Sequence, residues 1–400
     1  MLLNQSRAKA CMKKNGLDAL IATNPNHVTY ATNYGGNTPR IYFDEMVFAI
    51  LTCDTNAALL AGIMEAPYLA ENRKNIWVPE IWTYGTSKIT WPENLQPDKS
   101  EQRLIDILKD RDHNARYLPE LIARVLEKMG LNKKATIGLD ESGLSTAMHK
   151  MILQACPNVA FIPAHNIWRE IELIKTEEEL VRLRKAAIAN KEAVAAVMSQ
   201  VREGISEAEL MQVYREKVAQ QGGVLEFWNT AGGRRAGGFF PSGDYRLRKG
   251  DLYKYDAGMV LNLYHADTGG VCVLGEPTKR QKEIYESLSM GMDAALEAVH
   301  PGATYEDVWR AGVDAVSARG IPNYDILRSD IGHGIGIEAR VPNLAKGNKL
   351  IIEEMMVINV ELPYYEVGYG GFQREYSVVV TKSGYEFLIP VELELVVVDV

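Results

Sequence analysis

The chain has 400 residues, and at roughly 150 residues per domain this length predicts two or three domains. Apolar residues make up 46% and charged residues 24%, which is ordinary globular composition and excludes a disordered or collagen-like protein. The net charge of −8 is spread along the chain. We therefore expect neither nucleic acid nor an anionic membrane as a partner, since both need a clustered basic surface.

The hydropathy of the chain predicts neither a membrane span nor a secretion signal. No apolar stretch approaches the roughly 20 residues of a spanning helix. The N-terminus lacks a charged segment followed by a long apolar run. The four cysteines are far apart and form no CxxC pair, which favours reduced thiols over a disulfide framework. We expect a soluble, cytoplasmic protein.

The first part of the sequence alternates between short apolar strands and amphipathic helices. Apolar runs typical of buried strands occur at 17–23, 45–52 and 135–141. The segments 2–16 and 115–130 have helical spacing, and each ends at a glycine. Such alternation predicts an α/β domain with a mostly parallel sheet.

The pattern changes near residue 170, where helices with capping signals precede glycine-punctuated strands. Thr176 and Ser206 are each followed three positions later by glutamate, which predicts a capping box at two helix starts. The segment 251–275 is typical of two long strands joined by a turn, with helices and further strands after it. This order predicts an α+β domain. We place the two domains at residues 1–168 and 169–400.

Five residues of the second domain have the types and spacing of a metal site. Two aspartates lie 11 positions apart on a predicted hairpin, two glutamates lie 14 apart on another strand pair, and a histidine sits in the turn IGHGIG. Taken alone, an aspartate on a strand or a single histidine is more often a solvated or structural residue than a metal ligand. Together, four carboxylates and one imidazole suit a pair of divalent ions, with Mn, Fe, Co and Zn as candidates. The five residues are Asp256, Asp267, His333, Glu361 and Glu375.

The motifs that carry these residues resemble a known family. The runs KGDLYKYDAG, ADTGG, GHGIG, INVELP and REYSVVVTKSGYEFL have the order found in the pita-bread family of methionine aminopeptidases, prolidases, aminopeptidase P and creatinase. Upstream, GLDALIATNPNHVTYATNY is similar to the N-terminal domain of prolidases. The resemblance implies a creatinase-like α/β domain followed by an α+β pita-bread domain, in a protein that forms homodimers.

The resemblance also implies a role for each of the five residues. Asp267 and Glu375 would bridge two metal ions, Asp256 would hold one ion, and His333 with Glu361 would hold the other. Glu361 is also the family's usual group for handling the proton of the nucleophilic water. The implied activity is metal-dependent hydrolysis of a C–N bond, with an Xaa-Pro dipeptide as the substrate.

Three positions depart from the family's pattern. Phe239 and Arg340 stand where the family carries two histidines that orient the scissile carbonyl, and Gln373 replaces an arginine before the last glutamate. Losing one group that stabilises an oxyanion costs on the order of 10²–10³ in rate. The sequence therefore predicts a specialised enzyme, in which the planar cationic fork of Arg340 binds a small anionic or zwitterionic substrate.

Several further side chains are candidates for the active site, although packing or surface salt bridges would also explain each of them. Arg340 is a candidate both for catalysis and for substrate binding. His265, two positions before Asp267, is a candidate replacement acid or base. The candidate substrate-binding residues are Phe239, Arg340, Arg234 and Tyr365.

Two other functions remain open on the same fold. Dimethylsulfoniopropionate lyases also resemble pita-bread peptidases and lack these histidines, but they carry an aspartate where this chain has Lys254. By strand alternation, Lys254 points to the same face as Asp256 and can pair with a carboxylate or bind substrate. Lyase-like or creatinase-like chemistry on a small zwitterion is one alternative, and a non-catalytic binding protein is the other. The intact ligand set argues against the latter, because burying unpaired polar groups is costly.

Overall fold

The structure, a computed structural model, consists of two compact units, Met1–Glu172 and Leu173–Val400. It describes residues 1–36, 41, 46–54, 56–238, 241–391 and 393–399. Within these ranges, no helix combines the length and apolar character that crossing a membrane requires. The four cysteines are free thiols.

The first unit is an α/β domain around one mixed sheet. Its strands are β1 (Ala19–Ala22), β2 (Phe48–Thr52), β3 (Ala57–Gly62), β4 (Glu80–Tyr84), β5 (Asn114–Ala115), β6 (Thr136–Leu139) and β7 (Ala160–Pro163). The strand order is β5-β4-β3-β2-β1-β6-β7. Strand β2 runs antiparallel to both neighbours, and the other pairs are parallel. The predicted α/β domain with a mostly parallel sheet is confirmed.

Helices cover this sheet and supply much of the apolar core of the first unit. They are α1 (Gln5–Lys14), α2 (Pro25–Thr32), α3 (Ala66–Asn72), α4 (Lys99–Lys109), α5 (Leu118–Lys128), α6 (Thr146–Ala155) and α7 (His165–Glu172). On α5, Leu121, Ile122 and Val125 share one apolar face, as helical spacing requires, and are fully buried in the core.

The second unit begins with helices and continues into strands, as the α+β prediction requires. Its helices are α8 (Glu177–Met198), α9 (Glu207–Gln220), α10 (Lys279–Glu297), α11 (Tyr305–Arg319) and α12 (Tyr324–Leu327). Both predicted capping boxes are present: Thr176 with Glu179 starts α8, and Ser206 with Glu209 starts α9. Each box satisfies backbone N–H groups that the first helical turn leaves without a partner.

Two sheets of the second unit carry the predicted metal ligands. The strands are β8 (Val224–Gly232), β9 (Leu252–Leu261), β10 (Tyr264–Leu274), β11 (Asp330–Ile335), β12 (Ala339–Ala345), β13 (Val357–Glu361), β14 (Tyr364–Glu366), β15 (Gly370–Phe372), β16 (Glu375–Val380), β17 (Tyr385–Phe387) and β18 (Val396–Val398). One sheet has the order β18-β10-β9-β8 and the other β12-β11-β13-β16-β17, while β14 pairs with β15.

Side-chain alternation along the strands determines which face carries the polar residues. On β9, Ala257 and Met259 pack into the core formed with α8 and α9, so Asp256, which precedes Ala257, lies on the opposite face. On β13, Ile358 and Val360 pack into the core formed with α10 and α11. The glutamate that ends β13 therefore points away from those helices.

Candidate metal centre

Asp256 and Asp267 lie on one face of the antiparallel pair β9–β10. In the register, Asp256 is opposite Gly269, and Asp267 is opposite Gly258, so the two aspartates are diagonal neighbours. Both side chains are buried. A Cβ atom on Gly269 would lie 2.3 Å from Cγ of Gln373 and 2.5 Å from Oε2 of Glu375. A glycine is therefore needed there for the second sheet to approach the aspartates.

The other three predicted ligands lie on the second sheet. Glu361 on β13 is directly opposite Glu375 on β16, and His333 on β11 is opposite Asn359 on β13. Ligand atoms of Asp267, His333 and Glu375 all lie within 4.8 Å of one another. The Nε2 atom of His333 is 3.4 Å from Oδ2 of Asp267. The two sheets thus bring together side chains that are distant in sequence.

Burial and mutual repulsion disfavour the charged forms of two carboxyl groups of this set, Asp256 and Glu375. Burial, followed by the charges of Asp267 and Glu361, raises the pKa of Asp256 to about 8. The pKa of Glu375 is raised well above its usual value by burial and by the two aspartates. Burial would lower the pKa of His333, but its pairing with Asp267 outweighs burial and raises it.

The group has the features of a cation site. Within the part of the chain that the structure describes, the buried Oδ1 atom of Asp267 has no hydrogen-bond partner. A buried acceptor without a partner is costly, and several carboxylates in one site repel one another. Divalent cations would give Oδ1 of Asp267 a partner and would offset the repulsion among the carboxylates. The donor set of carboxylate oxygens and one imidazole nitrogen suits such cations. The residues present therefore fit the metal ions that the resemblance implies.

Neighbouring amides orient the carboxylates. Gln373 Nε2 donates to Glu361 Oε2 at 3.0 Å and lies 3.4 Å from Glu375 Oε2. The side-chain amide of Asn359 donates to Oε1 of Glu375. The adjacent Arg374, the other residue near the family's arginine position, instead donates to Tyr376 and to a serine on α10. The sequence shows Gln373 as a departure, but it does not show these hydrogen bonds.

Two cations lie over one aromatic ring beside the carboxylates. Lys254 is fully buried, and its Nζ is 4.8 Å from the centroid of the Tyr365 ring. Cζ of Arg328 is 5.7 Å from the same centroid. Burial lowers the pKa of Lys254 to about 8, although the charges of Asp256 and Glu361 oppose that shift. Arg328 is missed by sequence reasoning, because no motif includes its position.

The remaining candidates lie in different surroundings. Arg340 is exposed, with Cζ 4.7 Å from the centroid of the Phe227 ring, and its charge acts to lower the pKa of Asp256. Nδ1 of His265 is 2.7 Å from a carboxylate oxygen of Glu226. This contact engages one ring nitrogen, and an acid or base role would use the other, Nε2.

The candidate Arg234 lies against a turn of the second unit. Arg234 donates from Nε to the backbone oxygen of Gly368 at 2.9 Å, which fixes it to the turn between β14 and β15. Phe239 lies outside the described residues. Tyr365, in contrast, points its hydroxyl towards Gln373, with 3.5 Å between Oη and Oε1.

Each of the two units matches a known protein family. Residues 181–382 match metallopeptidase family M24, and residues 5–174 match the creatinase/prolidase N-terminal domain. The chain is 28% identical over 311 residues to the Xaa-Pro dipeptidase of Pyrococcus furiosus, covering 72% of this chain and 88% of the relative. It is 24% identical to the Xaa-Pro dipeptidase of Lactobacillus helveticus over the full length of both chains.

A solved structure shows the same fold. The Xaa-Pro dipeptidase from Bacillus anthracis superposes with a TM-score of 0.78 at 21% identity, covering 98% of each chain. The fold and the matched segment agree with the motif order of the sequence. The chain therefore belongs to metallopeptidase family M24, with a creatinase-like N-terminal domain and a pita-bread C-terminal domain.

Proposed function

We propose that this protein is a metal-dependent hydrolase that cleaves the C–N bond of a small substrate, with Xaa-Pro dipeptides as the first candidates. The observation that carries the proposal is the convergence of Asp267, His333 and Glu375, with Asp256 and Glu361 beside them. The Xaa-Pro dipeptidases among the relatives support the choice of substrate.

The proposed site holds two divalent ions, with Mn, Fe, Co or Zn as candidates. Asp256, Asp267, His333, Glu361 and Glu375 would together hold these ions. When bound, such ions polarise a carbonyl and lower the pKa of a coordinated water.

The side chains of the chain itself complete the proposed reaction. Glu361 is half-buried, whereas the other four proposed ligands are buried, so it is the carboxylate best placed to exchange a proton with a substrate. Its Oε2 atom accepts from Gln373, which fixes the carboxylate plane and leaves Oε1 for the proton. The β9–β10 and β13–β16 strand pairs hold these groups on rigid elements.

We propose that Arg340 contacts the anionic part of the substrate. Its guanidinium is exposed, stacks on Phe227 and acts electrostatically on Asp256. Arg340→Ala should raise KM, since a cation that binds substrate and transition state equally contributes to KM alone. Unchanged KM and kcat would reject this role.

Metal content and dipeptide hydrolysis test the proposed function together. Elemental mass spectrometry of the purified protein should give about two equivalents of a transition metal per chain, as a two-metal site requires. Asp267→Asn should lose the metal and the hydrolysis of Xaa-Pro dipeptides, whereas a matched change at the exposed Asp112 should lose neither. A protein that takes up no metal after reconstitution would refute the proposal.

Elimination from a small zwitterion is the second candidate function. It is favoured by one observation, namely that Phe239 and Arg340 stand at the two histidine positions, whereas Lys254, where such lyases carry an aspartate, argues against it. The two reactions differ in the fate of water. Hydrolysis in ¹⁸O-labelled water places the label in the carboxylate product, whereas elimination yields an unlabelled alkene.

A further inference from the structure

Arg328 and Lys254 form a pair of cations on the ring of Tyr365. The Lys254 ammonium is 4.8 Å and the Arg328 guanidinium carbon 5.7 Å from the ring centroid. Both distances are within the range of a cation–π contact. Two like charges on one ring repel each other, so the arrangement needs negative charge nearby.

The fold holds Arg328 and Tyr365 in place from both sides. The backbone oxygen of Arg328 accepts from Nε1 of Trp309, which is buried on α11. Tyr324 on α12 donates from its hydroxyl to the backbone oxygen of Pro363 at 2.6 Å, and Pro363 directly precedes β14. These bonds tie the segment before β11 to the strand that carries Tyr365. The backbone segments that carry Arg328 and Tyr365 are therefore held in place by hydrogen bonds.

Arg328 retains donor capacity within this structure. Its Nε atom is buried and, among the described residues, has no hydrogen-bond partner. A guanidinium offers its donors in a planar fork that matches a carboxylate, and a buried donor without an acceptor is costly. The missing acceptor is thus expected to be an anion from outside the chain.

With metal ions bound, the carboxylates of the site would no longer balance the charges of Lys254 and Arg328. The carboxyl groups that act electrostatically on Lys254 are those of Asp256, Glu361 and Glu375. In the proposed function, these three carboxylates and Asp267 would hold two divalent cations, whose four positive charges balance the four carboxylates of the site. Lys254 and Arg328 then carry net positive charge beside the ligands.

We infer that Arg328 and Lys254, supported by the ring of Tyr365, form a binding site for the carboxylate of the substrate. The inference rests on the proposed function and deepens it. It assigns carboxylate binding to these two cations in addition to Arg340, which is exposed on a different strand and stacks on a different ring. A carboxylate held beside the metal ligands would favour short substrates, since a dipeptide places its C-terminal carboxylate close to the scissile bond.

A binding experiment tests this site without relying on turnover. The full chain is reconstituted with Zn²⁺, which is diamagnetic, and titrated by ligand-observed NMR with L-proline and acetate, each compared with its amide. The variants are Arg328→Gln and Lys254→Met, with Arg215→Gln on the exposed surface of α9 as the control. Inorganic phosphate is titrated in parallel.

The expected result is a preference of the wild-type protein for the carboxylates over their amides. In Arg328→Gln the preference should fall by about tenfold or more, as when one partner of a buried charge pair is removed. The control should keep it. Should Arg328→Gln melt well below the wild-type protein, Arg328→Lys replaces it, and a single ammonium should keep part of the preference because it lacks the fork.

Three outcomes would overturn the inference. The first is that the wild-type protein has no preference for any carboxylate, and the second is that it binds phosphate more tightly than carboxylates. The third is a preference that survives in Arg328→Gln and Lys254→Met, because it would assign the carboxylate to the metal ions or to Arg340. The proposed function is judged separately by dipeptide hydrolysis. A chain that hydrolyses dipeptides but shows the third outcome refutes the inference alone, whereas an Arg328-dependent preference without hydrolysis refutes the proposed function alone.

Discussion

Gln373 joins the two opposed glutamates of the candidate metal centre, since its Nε2 atom donates to Glu361 Oε2 at 3.0 Å and lies 3.4 Å from Glu375 Oε2. Gln373→Leu removes this donor while roughly keeping the volume. Because partners of metal ligands contribute about 10–100-fold to metal affinity or activity, we expect losses of that size. Titration of the metal-free variant with Zn²⁺, together with the rate of dipeptide hydrolysis, checks the prediction. Wild-type values for both would show that Gln373 has no orienting role.

Gly269 allows the two sheets to approach each other at the site. Gly269→Ala would place a methyl group 2.3 Å from Cγ of Gln373 and 2.5 Å from Oε2 of Glu375, and overpacking of this kind costs about 1–3 kcal/mol. We expect a lower melting temperature and weaker metal binding. Gly384→Ala is the matched control, because nothing lies within 4 Å of its added methyl group. Equal melting temperatures for the two variants would contradict the prediction.

The sequence predicts the helices and strands well, and it places the proposed ligands on strands, because these signals are local. Capping residues precede α8 and α9, and the spacing of Asp256 and Asp267 follows from a hairpin whose strands alternate. The positions of Arg328 and Gln373 relative to the carboxylates depend on contacts between strands that are distant in sequence. No local pattern encodes such contacts. Lys254 is intermediate, since alternation predicts its face but not its stacking on Tyr365.

Glu179 makes the stability of the second unit depend on pH. Burial raises its pKa to about 7, against the charge of Lys175 and the hydrogen bonds from Thr176 and Tyr264. The pKa of this group is 4.5 in the unfolded chain and about 7 in the folded one, so the folded protein holds the proton more tightly. The free energy of unfolding therefore falls as the pH rises from about 4.5 to about 7. Glutamine resembles the protonated acid and can also complete a capping box. At pH 8, Glu179→Gln should therefore raise the free energy of unfolding, by on the order of 2–3 kcal/mol.

Urea denaturation at pH 5 and pH 8 measures this effect. The variant and the wild-type protein should have similar stabilities at pH 5 and differ at pH 8. Glu177→Gln in the first turn of the same helix is the control, because its side chain is not buried. A difference between Glu179→Gln and wild type that is as large at pH 5 as at pH 8 would rule out titration of Glu179 as the cause.

Metal binding should release protons, because the raised pKa values of Asp256 and Glu375 keep protons on the metal-free site. The pKa of Asp256 is about 8, so at pH 7 this carboxyl group is mostly protonated in the absence of metal. A metal ion binds the deprotonated ligand, and the apparent affinity should therefore rise with pH up to about pH 8, by up to about tenfold per pH unit for each proton released.

Calorimetric titration with Zn²⁺ in two buffers of different ionisation enthalpy counts the released protons. Asp256→Asn should release fewer protons and bind more weakly, whereas Asp112→Asn should match the wild-type protein. A binding enthalpy that is independent of the buffer would mean that the carboxylates are already ionised in the metal-free site, and that repulsion among them is balanced by the nearby cations.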